Sequence, residues 1–246
     1  KDAYISGNYI TELGKEIGKF YGYVYEGIAC TQADLDNHAT QQGANVGDCL
    51  YKDVSGPDGK PDGKIDENDR VVLGSGMPKV NFGISAHLEY KGFDLTVSTF
   101  GALGYHVSDD IYNSLNSCYG WANKDVAMAD ANRLSEDGKT YLSNVPRTYA
   151  TNNAQQAWND LFSSRKIQNA AYWKIANVEL GYNMPDKWFG GYVNSVRVYV
   201  SAQNLYTFTG YHGYNVDYAG GVWTPGYNFC SFPTPRTFMC GLHFSF

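Results

Sequence analysis

Phe238, Cys240, Leu242, Phe244 and Phe246 take every second position at the end of the chain, with Thr237, Gly241, His243 and Ser245 between them. Successive side chains of a strand point to opposite faces. The pattern therefore predicts a strand with one apolar and one polar face, ending on an aromatic residue. A sandwich would bury such a face against a second sheet. The closing strand of an outer-membrane barrel would offer it to lipid. The rest of the sequence weighs between these solvents.

At 246 residues the chain is long enough for one large all-β domain or two ordinary ones. Mean hydropathy is -0.41, and no run of eighteen apolar residues occurs, which excludes a membrane-spanning helix. A transmembrane barrel stays open, because alternating strands leave little hydropathy signal. Aromatic residues make up 15% of the chain, with 21 Tyr and 27 Gly against 18% charged residues. That balance fits aromatic girdles and glycine-rich turns. A net charge of -6 argues against a nucleic-acid partner, which needs a basic footprint. The chain opens on Lys1 without a signal peptide, and reads as a processed chain or a fragment. Five cysteines leave at least one unpaired within the chain. Cys30 and Cys49 bracket a polar loop, either bridged in an oxidising compartment or as free thiols.

Alternation continues upstream. Val80, Phe82, Ile84, Ala86, Leu88 and Tyr90 are interleaved with polar residues, and beyond Lys91-Gly92 come Phe93, Leu95, Val97 and Thr99, predicting an antiparallel hairpin. A second hairpin is predicted from Ala176–Tyr182 and Val196–Ala202, joined through Pro185–Gly191. Two further strands are expected over Ala3–Thr11 and Phe20–Gly27. Three long polar segments intervene: Ile28–Pro78, Leu103–Ala170 and Thr207–Pro235. Loops of such length are rare in compact soluble domains, but a membrane barrel has short turns at its periplasmic end and long loops outside. With Phe246 at the periplasmic end, every long segment falls outside and both short turns inside. The middle segment is expected to hold short helices near Asp109–Asn116 and Asn153–Phe162. Seven strands cannot close such a barrel, so a larger parent protein is expected, with these residues at its C-terminal end.

Four blocks carry a resemblance to a known family: I-G-K-F-Y-G-Y-V-Y-E-G-I at 17–28, Y-K-D-V-S-G with D-G-K-I-D-E-N-D-R-V-V-L-G at 51–74, P-K-V-N-F-G-I-S-A-H-L-E-Y-K-G-F-D-L at 78–95, and V-Y-V-S-A-Q-N-L-Y-T-F-T-G-Y with P-R-T-F-M-C-G-L-H-F-S-F at 198–246. Their order and spacing resemble the C-terminal region of the SusC/RagA family of TonB-dependent outer-membrane transporters from Bacteroidetes. The resemblance implies an all-β, antiparallel transmembrane barrel segment, residues 1–246 supplying the C-terminal strands of a 22-stranded barrel with long extracellular loops. It also implies a plug domain outside these residues, a SusD-like surface lipoprotein as lid, energy from TonB, and import of oligosaccharides or peptides. Phe238, Leu242, Phe244 and Phe246 would form the barrel-assembly signal.

The sharpest chemical signal is acidic. In the family the corresponding loop reads like a calcium repeat, and hard oxygen ligands with a sharp glycine turn suit that ion. Asp62, Asp66 and Asp69 fit its second half. The first half is completed either by Asp58, which places Lys60 where an oxygen belongs, or by Asp53 and Ser55 with Pro57–Pro61 as a bulge; the resemblance favours Asp53 and Ser55. A metal-free acidic turn is the competing reading. Asn81, His87, Glu89, Asp94, Glu179, Arg197, Tyr199, Gln203 and His243 are expected on the polar strand face, lining water or pairing among themselves. Glu89 and Asp94 make a poor glycosidase pair at a barrel rim, and no nucleophile–base–acid set is visible, so the chain reads as a non-enzyme. Aromatic residues of the outer segments, Trp121, Tyr141, Trp158, Tyr211, Tyr214, Trp223 and Tyr227, are candidates for stacking on cargo. Of these Trp121, Trp158, Tyr214 and Trp223 are favoured; packing among the loops or against the lid is the plainer alternative. Trp173 and Trp188 suit interfacial girdles. Rival readings of the whole are a passive porin and a secreted all-β carbohydrate-binding or adhesin domain.

Overall fold

The computed structural model describes residues 3–56, 58–119, 123–149, 158–188, 194–217 and 220–245. In chain order the strands are β1 (Ala3–Ser6), β2 (Tyr9–Glu12), β3 (Lys19–Gly22), β4 (Tyr25–Ile28), β5 (Cys49–Tyr51), β6 (Val71–Ser75), β7 (Val80–Tyr90), β8 (Phe93–Leu103), β9 (His106–Asp109), β10 (Gln168–Asn169), β11 (Tyr172–Met184), β12 (Ser195–Thr209), β13 (Tyr227–Asn228) and β14 (Thr237–Ser245). Helices are short: α1 (Gln32–Asp36), capped by Thr31, and α2 (Asp110–Leu115), capped by Asp109. No helix among the described residues is long and apolar enough to cross a membrane. The chain divides into two compact units, one of residues 1–77, 106–168 and 219–230, the other of 78–105, 169–218 and 231–246.

The second unit is a five-stranded antiparallel sheet in the order β14-β12-β11-β8-β7. Its register lines up the alternation of every strand. Leu88, Leu95, Leu180, Val200 and Cys240 form one cross-strand row, and Ala86, Val97, Val178, Ala202 and Phe238 another. This apolar face is open, with Leu88, Leu180, Val200, Leu242 and Phe244 all exposed. Aromatic residues bound it at both ends. Tyr90, Phe93 and Tyr182 sit by the short turns, where the Phe93 and Tyr182 rings are 4.5 Å apart. Trp173, Phe208 and Tyr206 sit at the other end, with ring centroids at 5.5 and 4.7 Å. Trp173 thus lies where a girdle residue is expected. The stretch from Trp173 to Tyr182 is roughly 30 Å of extended chain, or about 20 Å of height once barrel strands tilt. That suits the apolar band of an outer-membrane barrel.

The turn Lys91-Gly92 has positive φ at both residues, 48° and 88°, as the tightest hairpin turn requires. Both hairpins are therefore as expected, but longer than their cleanest alternation. Between Ile175 and Asn177 the β11 register shifts against both neighbours. This bulge breaks the period at Ala176 and hides the outer third of the strand from a period-two reading. The long connections all leave the sheet at the end bearing Leu103, Tyr172 and Thr209, opposite the short turns.

Ala3–Thr11 and Phe20–Gly27 are not barrel-length strands. The first is the β1–β2 hairpin turning at Gly7, and the second breaks into β3 and β4. Pieces of four residues are too short to cross a bilayer, which takes about 9–11 tilted residues. They lie in the first unit, where β1-β2-β3-β6 form a separate sheet and β4 pairs with β5. Among the described residues, five long strands therefore make up the barrel sheet. The helix expected near Asp109–Asn116 is α2; half of the one expected over Asn153–Phe162 lies outside the described residues, and residues 158–160 form a single 3-10 turn.

Candidate functional site

The polar face of the five-stranded sheet holds every residue expected there, because Glu89 pairs with Asp94, His87 with Thr96, and Arg197 with His243. Its centre is an ion-pair hub. Arg197 donates from Nε and Nη2 to the two oxygens of Asp94 at 3.1 and 2.5 Å, and from Nη2 to Glu179 Oε1 at 2.7 Å. Its guanidinium lies over the Tyr199 ring, 5.2 Å from the centroid. Glycines make the room. A Cβ at Gly181 would stand 2.5 Å from both Arg197 Nη2 and Asp94 Oδ1, and one at Gly241 would meet the Tyr199 ring. At the other end of the sheet Lys174, almost wholly buried, pairs with Asp217 at 2.6 Å, while Tyr105 donates its hydroxyl to the Val216 carbonyl. These contacts fold the segment after β12 back onto its own unit.

The long segments are not structureless. Residues 28–78 and 103–168 share a core in which Cys49, Tyr51 and Ile65 are buried against Tyr23, Tyr25, Trp158 and Leu161. Asp48, 1% exposed at its side chain, accepts a two-pronged contact from Arg147 at 2.9 and 3.0 Å. Asn159 completes the knot, donating to Asp48 and to the Arg147 carbonyl and accepting from the Cys49 amide. Burial pushes the Cys49 thiol up to about 12 and the Cys118 thiol to about 11. All five cysteines are free, and Cys30 Sγ is directed to the Ile28 carbonyl.

This core corrects part of the aromatic set. Trp158 packs on Tyr51 and donates Nε1 to the Gln42 carbonyl, so its ring is committed to the core. Tyr141 is buried, with its hydroxyl between the Val145 carbonyl and the Asn132 amide, and Tyr211 is buried too. Tyr227 stacks on Phe229. Trp121 lies outside the described residues, as does Phe246. Tyr214 and Trp223 remain open, at 66% and 64% exposure. Trp223 borders a cleft of about 820 Å³ with Tyr4, Tyr9, Leu13 and Ile17, and Tyr214 borders one of about 180 Å³ with Asn204, Asn215 and Arg236.

The acidic segment is ordered by its own backbone. Asp69, fully buried, accepts from the amides of Val54, Ser55 and Asp66 at 2.8, 3.1 and 2.8 Å. Asp53 Oδ2 accepts from Gly63 N, Asp62 from Lys64 N, and Asp66 caps the turn Glu67–Asp69. The Asp53 Oδ1 atom is buried without a partner. Among the described residues no three His, Cys, Asp or Glu side chains converge as a metal cage. Asp53, Asp62, Asp66 and Asp69 thus each hold part of the turn through backbone amides. A carboxylate filled by three N–H donors has few lone pairs left for a cation.

No family model matches the chain. It is 29% identical over 246 residues to TonB-dependent receptor P3 of Formosa agariphila, covering 96% of the chain and 23% of that protein. It is 24% identical over 209 residues to TonB-dependent receptor SusC of Bacteroides thetaiotaomicron, covering 80% of the chain and 19% of that protein. Among solved structures, the RagAB peptide importer in its closed-closed state superposes with a TM-score of 0.74 at 21% identity, covering 99% of the chain and 25% of that one. The chain spans about a quarter of the length of the relatives it matches. Its fold is thus the class a two-faced open sheet defines, a partial antiparallel transmembrane β-barrel. Within that class the chain is similar to the SusC/RagA kind of TonB-dependent receptor.

Proposed function

We propose that these residues are the C-terminal wall of an outer-membrane barrel that imports oligosaccharides or peptides, with a SusD-like lipoprotein as lid and TonB as the energy source. The observation that carries this reading is the register of the five-stranded sheet. One face is apolar, open and edged with aromatic residues, and the other is polar and ion-paired. The first suits outer-membrane lipid and the second a water-filled lumen. The long segments then lie outside the cell, and the strand from Phe238 through Leu242 and Phe244 to Phe246 acts as the assembly signal. Nothing in this account performs chemistry. Deleting the parental gene should abolish growth on one oligosaccharide or peptide source, and a proton-gradient uncoupler should halt its uptake at once. Uptake that survives the uncoupler would point to a passive porin, and recovery of the protein without detergent to a secreted domain.

The calcium loop is a second, separate proposal. Its support is the unpartnered Asp53 Oδ1 within an oxygen-rich segment, with Ser55, Asp62, Asp66 and Asp69 as the other oxygen donors; the engagement of Asp69 counts against it. Calcium should raise the unfolding temperature of the parent protein relative to chelator, and identical melting in both would remove the ion.

A further inference from the structure

One polar pocket belongs to none of the residues that sequence motifs single out. It is formed within residues 110–166, measures about 360 Å³ and is walled by Asp110, Asn113, Ser117, Tyr119, Tyr149 and Asp160. That is the small end of the range for ligand sites. Its floor is built around Asp160. This carboxylate accepts from Ser117 Oγ at 3.0 Å, the Cys118 amide at 3.2 Å and the Tyr149 hydroxyl at 3.0 Å. Lys166 Nζ approaches it to 3.7 Å and donates to the Asp160 carbonyl at 2.6 Å. Burial and the neighbouring Asp160 raise the pKa of Tyr149, so its hydroxyl keeps its proton and stays a donor to the floor.

The wall above that floor is different in kind. Tyr119 and Tyr149 stack with centroids 5.8 Å apart and planes within 20°, giving a flat aromatic slab. Lys124 holds the slab by donating to the Tyr119 carbonyl at 2.8 Å. Asn113 spends its amide hydrogens on Ser108 Oγ and the Lys166 carbonyl, which leaves its Oδ1 to accept. Among the described residues no side chain or amide donates to the Asp110 carboxylate, which lines the same space. The Asp110 carboxylate and the Asn113 Oδ1 are therefore acceptors beside an aromatic plane.

Such a surface asks for a ligand with several donors on one side and an apolar C–H face on the other. A sugar ring has both; its vicinal hydroxyls can donate to one carboxylate while its C–H face lies on the ring plane. A peptide in extended form is more often taken by strand addition to an open sheet edge. Among the described residues no open edge lines this pocket, whose walls are α2, the 117–119 turn, Tyr149 and the 160–166 segment. We infer that this pocket is a carbohydrate subsite, sized for about one or two sugar rings, with Tyr119 as the stacking plane and Asp110 as the hydroxyl acceptor. The inference rests on the reading of residues 103–170 as a cargo-side segment of an importer.

The test uses the full-length parent transporter in detergent, challenged with neutral hexasaccharides of glucose, mannose, xylose and galactose and with mixed-sequence hexapeptides. Hydroxyl-radical footprinting of the wild-type protein should show Tyr119 protected several-fold by at least one hexasaccharide and by no peptide. Tyr119→Ala and Asp110→Asn should each weaken binding of that sugar by about tenfold or more, with the unfolding temperature unchanged. Peptide protection of Tyr119, no protection by any sugar, or full-strength sugar binding by both variants would overturn the assignment. Import that persists alongside such a result would leave the transporter reading intact. Sugar protection at Tyr119 in a protein that imports nothing would instead remove the transporter reading and keep the subsite.

Discussion

At the scale of single residues, the polar face is organised by Arg197, and the sequence marks it only in part. The alternation places Arg197, Asp94 and Glu179 on one side, but no local pattern says that three strands bring them into one hub. Gly181 and Gly241 matter for a reason visible only in the register, since a side chain at either would occupy the space of the ion pair or of the Tyr199 ring. Removing one partner of a nearly buried pair leaves the other uncompensated. Asp94→Ala should therefore destabilise the barrel by about 2–4 kcal/mol, read from urea unfolding in detergent. An effect no larger than that of an exposed polar substitution would show that water already screens the hub. Trp158 teaches the reverse lesson. A tryptophan in a polar segment looks like a cargo contact, yet its ring packs against the core around Tyr51 and its Nε1 donates to the Gln42 carbonyl. Burial by residues more than a hundred positions away leaves no trace in local sequence.

At the scale of elements, the period-two rows of β7, β8, β12 and β14 are legible because each strand keeps a single apolar face. The bulge at Ala176 interrupts β11, and the short strands β1 to β4 carry mixed apolar residues that imitate barrel strands without their length. Face assignment makes a direct prediction. Val178 lies on the apolar face between the two aromatic bands, and Gln203 on the polar face. Val178→Arg should cost about 2–4 kcal/mol at mid-bilayer, whereas Gln203→Arg should change folding little. Folding yields into vesicles would check both, and equal costs would mean that the faces are wrongly assigned. The loop core gives a second prediction. Asp48→Ala strands Arg147 and Asn159 and should loosen the 1–77 and 106–168 segments by about 3–5 kcal/mol. Limited proteolysis should then cut these segments in the variant and spare them in the wild type; equal resistance would show that the Asp48 knot is not what holds them.

At the scale of the whole molecule, the loop-length rule carried more information than any motif. Three long segments alternating with two short turns implied a direction for every strand, and the five-stranded sheet has that connectivity. What the rule missed is that the long segments fold, because their core is assembled from residues such as Cys49, Ile65 and Leu161 that show no periodicity in the chain. The acidic segment has the oxygen-rich pattern of an ion loop, and the geometry of Asp69 shows how the same residues serve a turn. The central claim is a barrel wall with its long segments outside the cell and its short turns within. Epitope insertion tests it directly, with one tag at the exposed turn Asp137-Gly138 and another at Lys91-Gly92 in the full-length protein. Antibody added to intact cells should bind the first tag and reach the second only after the outer membrane is opened. Binding of the second tag on intact cells, or failure of the first, would contradict the account.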